Sequence, residues 1–187
     1  MFRRTVLGVA VALLGLVGVA APQAAATTEA QVSTAAVVLT YDDSQAAEFV
    51  DVVAAGAEVW NTHVSNVRLE KAEPGTEADI TIIANDGWPQ ATLGPFFPGE
   101  GGATVWYGRQ AVNDGYNLVR IASHELGHIL GLPDVKPGPC ESLMSGSTGG
   151  VDCDNVNPNA EEIAAVEANY AGGRISAPHK GTVLVER

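Results

Sequence analysis

Ala122-Ser-His124-Glu125-Leu-Gly-His128-Ile-Leu-Gly131-Leu-Pro133-Asp134 is the stretch on which the reading of this chain turns. Its apolar residues recur at helical spacing and place it on a helix predicted from about Asn117 to Leu130. Residues four apart share a helix face, so His124 and His128 point the same way. Their imidazoles can then meet at one zinc ion. Gly131, suited to a left-handed cap, ends the helix and lets the chain return with Asp134 as a third ligand. Two imidazoles and one carboxylate leave a coordination position open, as catalytic rather than structural zinc sites do. Glu125 projects beside the same face, where it can take a proton from a water at the ion. The bland alternative, two solvated histidines on an ordinary helix, leaves Gly131 and the carboxylate spacing as coincidences. For His63 and His179 the bland reading wins, because one ends a helix and the other lies in a tail.

Working outward, Ala36 to Tyr41 is β-branched and apolar and is predicted as the first strand. Asp43 and Ser44 are candidate caps for a helix whose apolar positions include Phe49, Val53, Ala57 and Trp60. Val67 to Leu69 and Asp79 to Ile83 read as two further strands around a Pro74-Gly75 turn. The Gly- and Pro-rich stretch from Asn85 to Gly102 is expected to be irregular, and Ala103 to Tyr107 to be a fourth strand. That strand is either an edge that pairs with an extended substrate or an internal strand with Trp106 in the core. After the metal helix, a last helix is expected from Asn157 to about Tyr170, with Pro158 in its first turn. The order predicts an α/β (α+β) domain, a mostly four-stranded sheet packed on helices.

Hydrophobic content of 46% with 17% charged residues is that of a globular chain, and 187 residues allow one domain with a proper core. Arg3 and Arg4, the apolar run Thr5 to Ala21 and the small residues Ala24 to Ala26 read as a secretory signal peptide over residues 1–26. A retained membrane anchor is the weaker alternative, and the arginine pair leaves the Sec and twin-arginine export routes both open. Residues 27–34 form a short N-terminal segment, 35–172 the folded domain and 173–187 a C-terminal tail without clear periodicity. Loss of the signal removes two arginines and no acids, taking the net charge from -12 to -14. So acidic a chain repels phosphate backbones, which argues against nucleic acid as a partner. No stretch outside the signal is long and apolar enough to span a bilayer, and a monomer is the default. In an exported chain Cys140 and Cys153 are expected to form a disulfide contributing about 3 kcal/mol, with free thiols or soft metal ligands as alternatives.

These residues bring a family into view. The metal stretch resembles the zinc signature of the snapalysins, small secreted metalloendopeptidases of the metzincin group. Gly138-Pro-Cys140-Glu-Ser-Leu-Met144-Ser-Gly146, Cys153, Asn157-Pro-Asn-Ala, Val37 to Tyr41 and Gly56 to Asn61 are similar as well, so the likeness runs from about Ala35 to Gly172. The resemblance implies a zincin/metzincin-like fold and a secreted, extracellular endopeptidase acting on proteins or peptides, with an aromatic residue preferred after the scissile bond. It implies one catalytic Zn2+ held by His124, His128 and Asp134, Glu125 as the catalytic residue, Met144 as the Met-turn and Cys140–Cys153 as the single disulfide. Two departures stand out. Lys136 sits where the family has a tyrosine able to donate to a developing oxyanion. Asn117 and Val119 occupy the region of the family's calcium ligands, and an amide and an apolar side chain suit a hard cation poorly, so calcium is not carried over.

Lys136 also favours a competing expectation, a secreted zinc-binding protein of the same fold with lost or reduced protease activity. Glu125 argues against it, since a zinc carrier needs no base. A purely structural zinc site is disfavoured, because such sites are usually closed by four protein ligands.

Overall fold

The computed structural model describes residues 35–172 and 179–186. The expected signal peptide, the segment 27–34 and the first part of the tail, 173–178, lie outside the described residues. β1 (Val37–Gln45) buries every second residue through Leu39, Tyr41 and Asp43, the period of a strand with one face on the core. It runs parallel to β2 (Val67–Lys71), with Val37 opposite Val67, and to β3 (Ile80–Asn85), with Tyr41 opposite Ile80. β5 (Ala103–Gly108) continues the parallel set beside β3. β4 (Gln90–Thr92) pairs antiparallel with β5, and β6 (Val183–Val185) pairs antiparallel with β4. The sheet therefore has six strands in the order β2-β1-β3-β5-β4-β6.

Helices cover the sheet. α1 (Val50–His63) buries Val53, Ala57 and Trp60, and the Trp60 indole donates to the Ser123 carbonyl at 2.8 Å on α3 (Leu118–Ile129). A short α2 (Arg109–Asn113) follows β5, and α4 (Ala160–Tyr170) closes the domain. Leu39, Ile80, Ile82, Trp60, Tyr107, Leu126 and Ile129 are buried between these layers. The mixed sheet-on-helix architecture is the expected one.

The strand count differs from the expected four. β4 lies in the stretch read as irregular and β6 in the tail; each is three residues long, too short to display a period, and each exists by pairing with a distant strand. β5 lies between β3 and β4, so the internal reading holds and the substrate-edge reading does not; Trp106 is only half-buried, and Tyr107 is the core residue. Asp43 and Ser44 cap nothing. They continue β1, Asp43 pairs with Lys71 at 2.9 Å, and α1 is entered through a 3-10 turn at Ala47–Phe49. The last helix starts after Asn159 rather than at Asn157. Asn159 accepts from the Glu161 and Glu162 amides and Glu162 returns to the Asn159 amide, a complete capping box.

Candidate metal centre

Asn117 opens the metal helix by accepting from the Arg120 amide, so the side chain in the expected calcium region serves as a cap. From Arg120 to Ile129 every residue of α3 is buried. Nδ1 of His124 donates to the Leu143 carbonyl at 3.0 Å, and Nδ1 of His128 to the Leu132 carbonyl at 2.7 Å. A carbonyl oxygen only accepts, so both protons are assigned to Nδ1 and both Nε2 atoms face inward. Gly131, at φ 98°, turns the chain, and Leu132 N donates back to the Gly127 carbonyl at 3.0 Å. Asp134 then arrives with Oδ1 at 3.5 Å from His124 Nε2 and 3.6 Å from His128 Nε2.

Those separations suit a shared ion. Ligand atoms placed 2.0–2.1 Å from a tetrahedral zinc stand roughly 3.3–3.4 Å apart. Both Glu125 carboxylate oxygens are buried with neither a hydrogen-bond nor an ion-pair partner among the described residues, while His124 Nε2 and Asp134 Oδ1 meet only ion-pair contacts. Buried polar atoms are nearly always satisfied, so an unpartnered carboxylate beside two converging imidazoles marks a place built for something else.

Electrostatics agrees. Burial by itself lowers His124, but Asp134 and Glu186 outweigh it and raise it to about 10. Burial, then the adjacent His124 charge, lowers His128 to about 3. Burial is also the largest influence on Glu125 and pushes its carboxyl up to about 8, reinforced by Glu186 and Asp134 and opposed by His124. A carboxyl poised near neutrality is suited to moving a proton. The two carboxylates facing the imidazoles attract positive charge into the cluster.

The floor of the site is the loop after Asp134. Met144 is buried, and its carbonyl accepts from the Val135 amide at 2.8 Å. Cys140 and Cys153 are joined by a disulfide that brackets it. Two buried charged residues, neither read from the sequence, fix this loop. Arg120 donates to the carbonyls of Ser142 at 2.8 Å and Asn155 at 2.7 Å and to the Ser145 hydroxyl at 2.9 Å. Glu162 accepts from the Ser142 hydroxyl at 2.7 Å and from the Leu143 and Met144 amides at 3.2 and 2.9 Å. The Asn159-x-x-Glu162 spacing was the signal that could have located Glu162.

A third missed residue reaches the histidine pair itself. Glu186, just past β6, places Oε2 at 2.9 Å from His124 Nε2 and accepts from Lys136 at 2.6 Å. Lys136 Nζ is also 3.3 Å from Asp134 Oδ1, so the lysine is engaged by carboxylates. His63 bonds the Val59 carbonyl, and neither it nor His179 joins the cluster. Beside Glu125 lies a narrow cleft whose walls include Trp88, Tyr116, Asn117 and Ile121.

Comparison with known proteins bears on this site. Residues 36–173 match the family described as Streptomyces extracellular neutral proteinase (M7). The chain is 39% identical over 142 residues to the extracellular small neutral protease of Streptomyces coelicolor, covering 76% of this chain and 63% of that one. It is 38% identical over 149 residues to the protein of the same name from Streptomyces sp. strain C5, covering 79% and 62%. To that of Streptomyces caespitosus it is 39% identical over 140 residues, covering 73% of this chain and 99% of that one. The match thus spans less than two thirds of the first two relatives and nearly all of the third.

Proposed function

This chain belongs to the Streptomyces extracellular neutral proteinase (M7) family, and from that premise we propose that it is a secreted zinc-dependent endopeptidase acting on proteins or peptides. The observation that carries the reading is the convergence of His124 Nε2, His128 Nε2 and Asp134 Oδ1 beside the buried, unpartnered carboxylate of Glu125. In this reading His124, His128 and Asp134 hold one zinc ion, which when bound supplies Lewis-acid polarisation of the scissile carbonyl and acidification of water. Glu125 accepts the proton of the attacking water on a carboxylate oxygen and passes it to the leaving amine. The Leu143 and Leu132 carbonyls fix the two imidazole rings, so Nε2 is the ligating atom in each. Met144 supplies an adaptable apolar surface beneath them. Trp88, Tyr116 and Ile121 give an apolar surface beside Glu125 against which, in this reading, an aromatic side chain following the scissile bond packs.

Casein digestion by the purified secreted protein, with and without chelator and with Glu125→Gln, tests the proposal. Cleavage that is abolished by chelator, restored by zinc and lost in Glu125→Gln supports it. Cleavage equal in all samples removes the zinc-protease assignment. A second reading, a zinc-binding member of the family with reduced turnover, is favoured by one observation: Glu186 stands against His124 where the reaction needs room.

A further inference from the structure

We propose that the chain in this form is self-inhibited: its own last described strand, β6, covers the edge of β4 and sets the Glu186 carboxylate against His124 and Glu125, where water and substrate would have to enter. The proposal rests on the metal-site reading above.

β6 is zipped onto β4. Leu93 N donates to the Thr182 carbonyl at 2.7 Å, Gly181 N to the Leu93 carbonyl at 2.7 Å, and Glu186 N to the Pro89 carbonyl at 2.8 Å. Lys180 adds an ion pair with Glu100 and lies 5.1 Å from the centre of the Phe96 ring. The burial pattern along this strand is inverted. Val183 and Val185 are 41% and 40% exposed, whereas the carboxylate-bearing Glu186 is 6% exposed. A strand that leaves its valines in water and buries its acid is held by something that repays desolvation of a charge.

A receptacle for that carboxylate exists. Gly146 adopts φ 51° directly under it, and a Cβ there would run into both carboxylate oxygens. The Ser147 amide donates to Oε1, and Lys136 donates to Oε2. Oε2 lies 2.9 Å from His124 Nε2, and the ligating atoms of His124, Glu125 and Glu186 all fall within 4.8 Å of one another. The carboxylate therefore reaches the centre on the side where Glu125 must meet water. Glu186 thus groups with His124 and Glu125, whereas His128 and Asp134 group with His124 on the other side of the ring, so the carboxylate closes the approach to the site from the Glu125 side. Lys136 stabilises this closed form by neutralising part of the added negative charge. β6 and Glu186 both lie beyond the residues matched by the family, 36–173. The closed form is thus built from chain that the family match does not include.

Any peptide reaching the metal along β4 has to displace a segment tethered at an effective concentration of order millimolar. Activation is then the release of β6 from β4. An ion pair that merely tied down the segment would leave the metal's open position untouched, and the test separates the two.

The full chain, Glu186→Gln and Leu184→Pro are loaded with cobalt(II) or zinc, and circular dichroism verifies folding. The proline acts at the sheet edge, away from the ligands, and removes a donor from the β4–β6 ladder. In the parent the visible cobalt spectrum is expected to be unmoved by millimolar acetohydroxamate, and in both variants to shift with it. Zinc release to a chelator is expected to be about tenfold faster in both variants, and peptide cleavage about tenfold higher, the scale of losing a metal-site contact. Equal spectra, equal hydroxamate response and equal release in all three proteins overturn the proposal, even where all three cleave casein and the protease reading stands. Failure of all three to bind cobalt or zinc sinks the protease reading and this proposal with it.

Discussion

Glu162→Gln exchanges one carboxylate oxygen for an NH2 group at nearly constant volume, so packing hardly changes while the hydrogen-bond count does. Each oxygen takes two donors: Oε1 those of Ser142 Oγ and Met144 N, Oε2 those of Leu143 N and Asn159 N. With the nitrogen at the Oε1 end the Ser142 hydroxyl can turn and accept from it, so the amide settles there and the Met144 amide alone is orphaned, in a site only 6% exposed. One orphaned buried group costs about 1–3 kcal/mol. For a folded region of this size 1 kcal/mol moves Tm by roughly 3 °C, so the midpoint should fall by roughly 3–9 °C. Glu161→Gln, one residue earlier and exposed, is the control and should stay within about 2 °C. The damage lands on the Leu143–Met144 loop, whose Leu143 carbonyl orients His124, so zinc affinity should fall as well. Thermal unfolding by circular dichroism and zinc titration against a competing chelator provide the readouts. A Glu162→Gln midpoint within 2 °C of the parent would refute the claim that this carboxylate pins the floor of the site.

Three further outcomes are expected. Gly56→Ala sets a helix-propensity gain of about 1 kcal/mol against a Cβ placed 2.7 Å from Ala122 Cβ and 2.9 Å from the Ala122 carbonyl carbon on the metal helix. Backbone cannot yield as a side chain can, so overpacking of about 1–3 kcal/mol wins and Tm should drop; a rise would show that α3 moves freely. Reduction of Cys140–Cys153, or its replacement by serines, should cost about 3 kcal/mol, measured by urea unfolding with and without reductant. Partial burial opposes ionisation of Asp79, but hydrogen bonds from Thr40 and Gly99 outweigh it and hold its pKa below 3.8. A depressed folded pKa gives stability that is present above the unfolded value and lost as pH falls through the folded one. Asp79→Asn should therefore be less stable than the parent by about 1–2 kcal/mol at pH 7, the gap closing below about pH 4 in pH-dependent melts; a gap independent of pH would contradict this.

The metal helix was legible because its information is local. His124, Glu125 and His128 declare a face by spacing alone, and Gly131 declares the turn that returns Asp134. The parallel strands β1, β2, β3 and β5 were legible because burial on the sheet leaves β-branched runs in the sequence. What was missed is held by partners remote in sequence. Lys136 and Glu186 are 50 residues apart, and nothing near either names the other. β4 and β6 are three-residue strands made by pairing, which carries no periodic signal. Asp43 looked like a cap because Asp before an apolar helical run usually is one. Here the Lys71 ammonium on the neighbouring strand claims it, and β1 extends through the position where a helix would have begun. Arg120 read as an ordinary helix residue, because the carbonyls it gathers lie on a loop that follows it by more than a helical turn.

Diffraction data collected on either side of the zinc absorption edge, from crystals grown with zinc, test the central claim most directly. The account predicts one strong anomalous peak about 2.0–2.1 Å from His124 Nε2, His128 Nε2 and an Asp134 carboxylate oxygen together. A peak elsewhere, or one that engages the histidines while Asp134 points away, would contradict it.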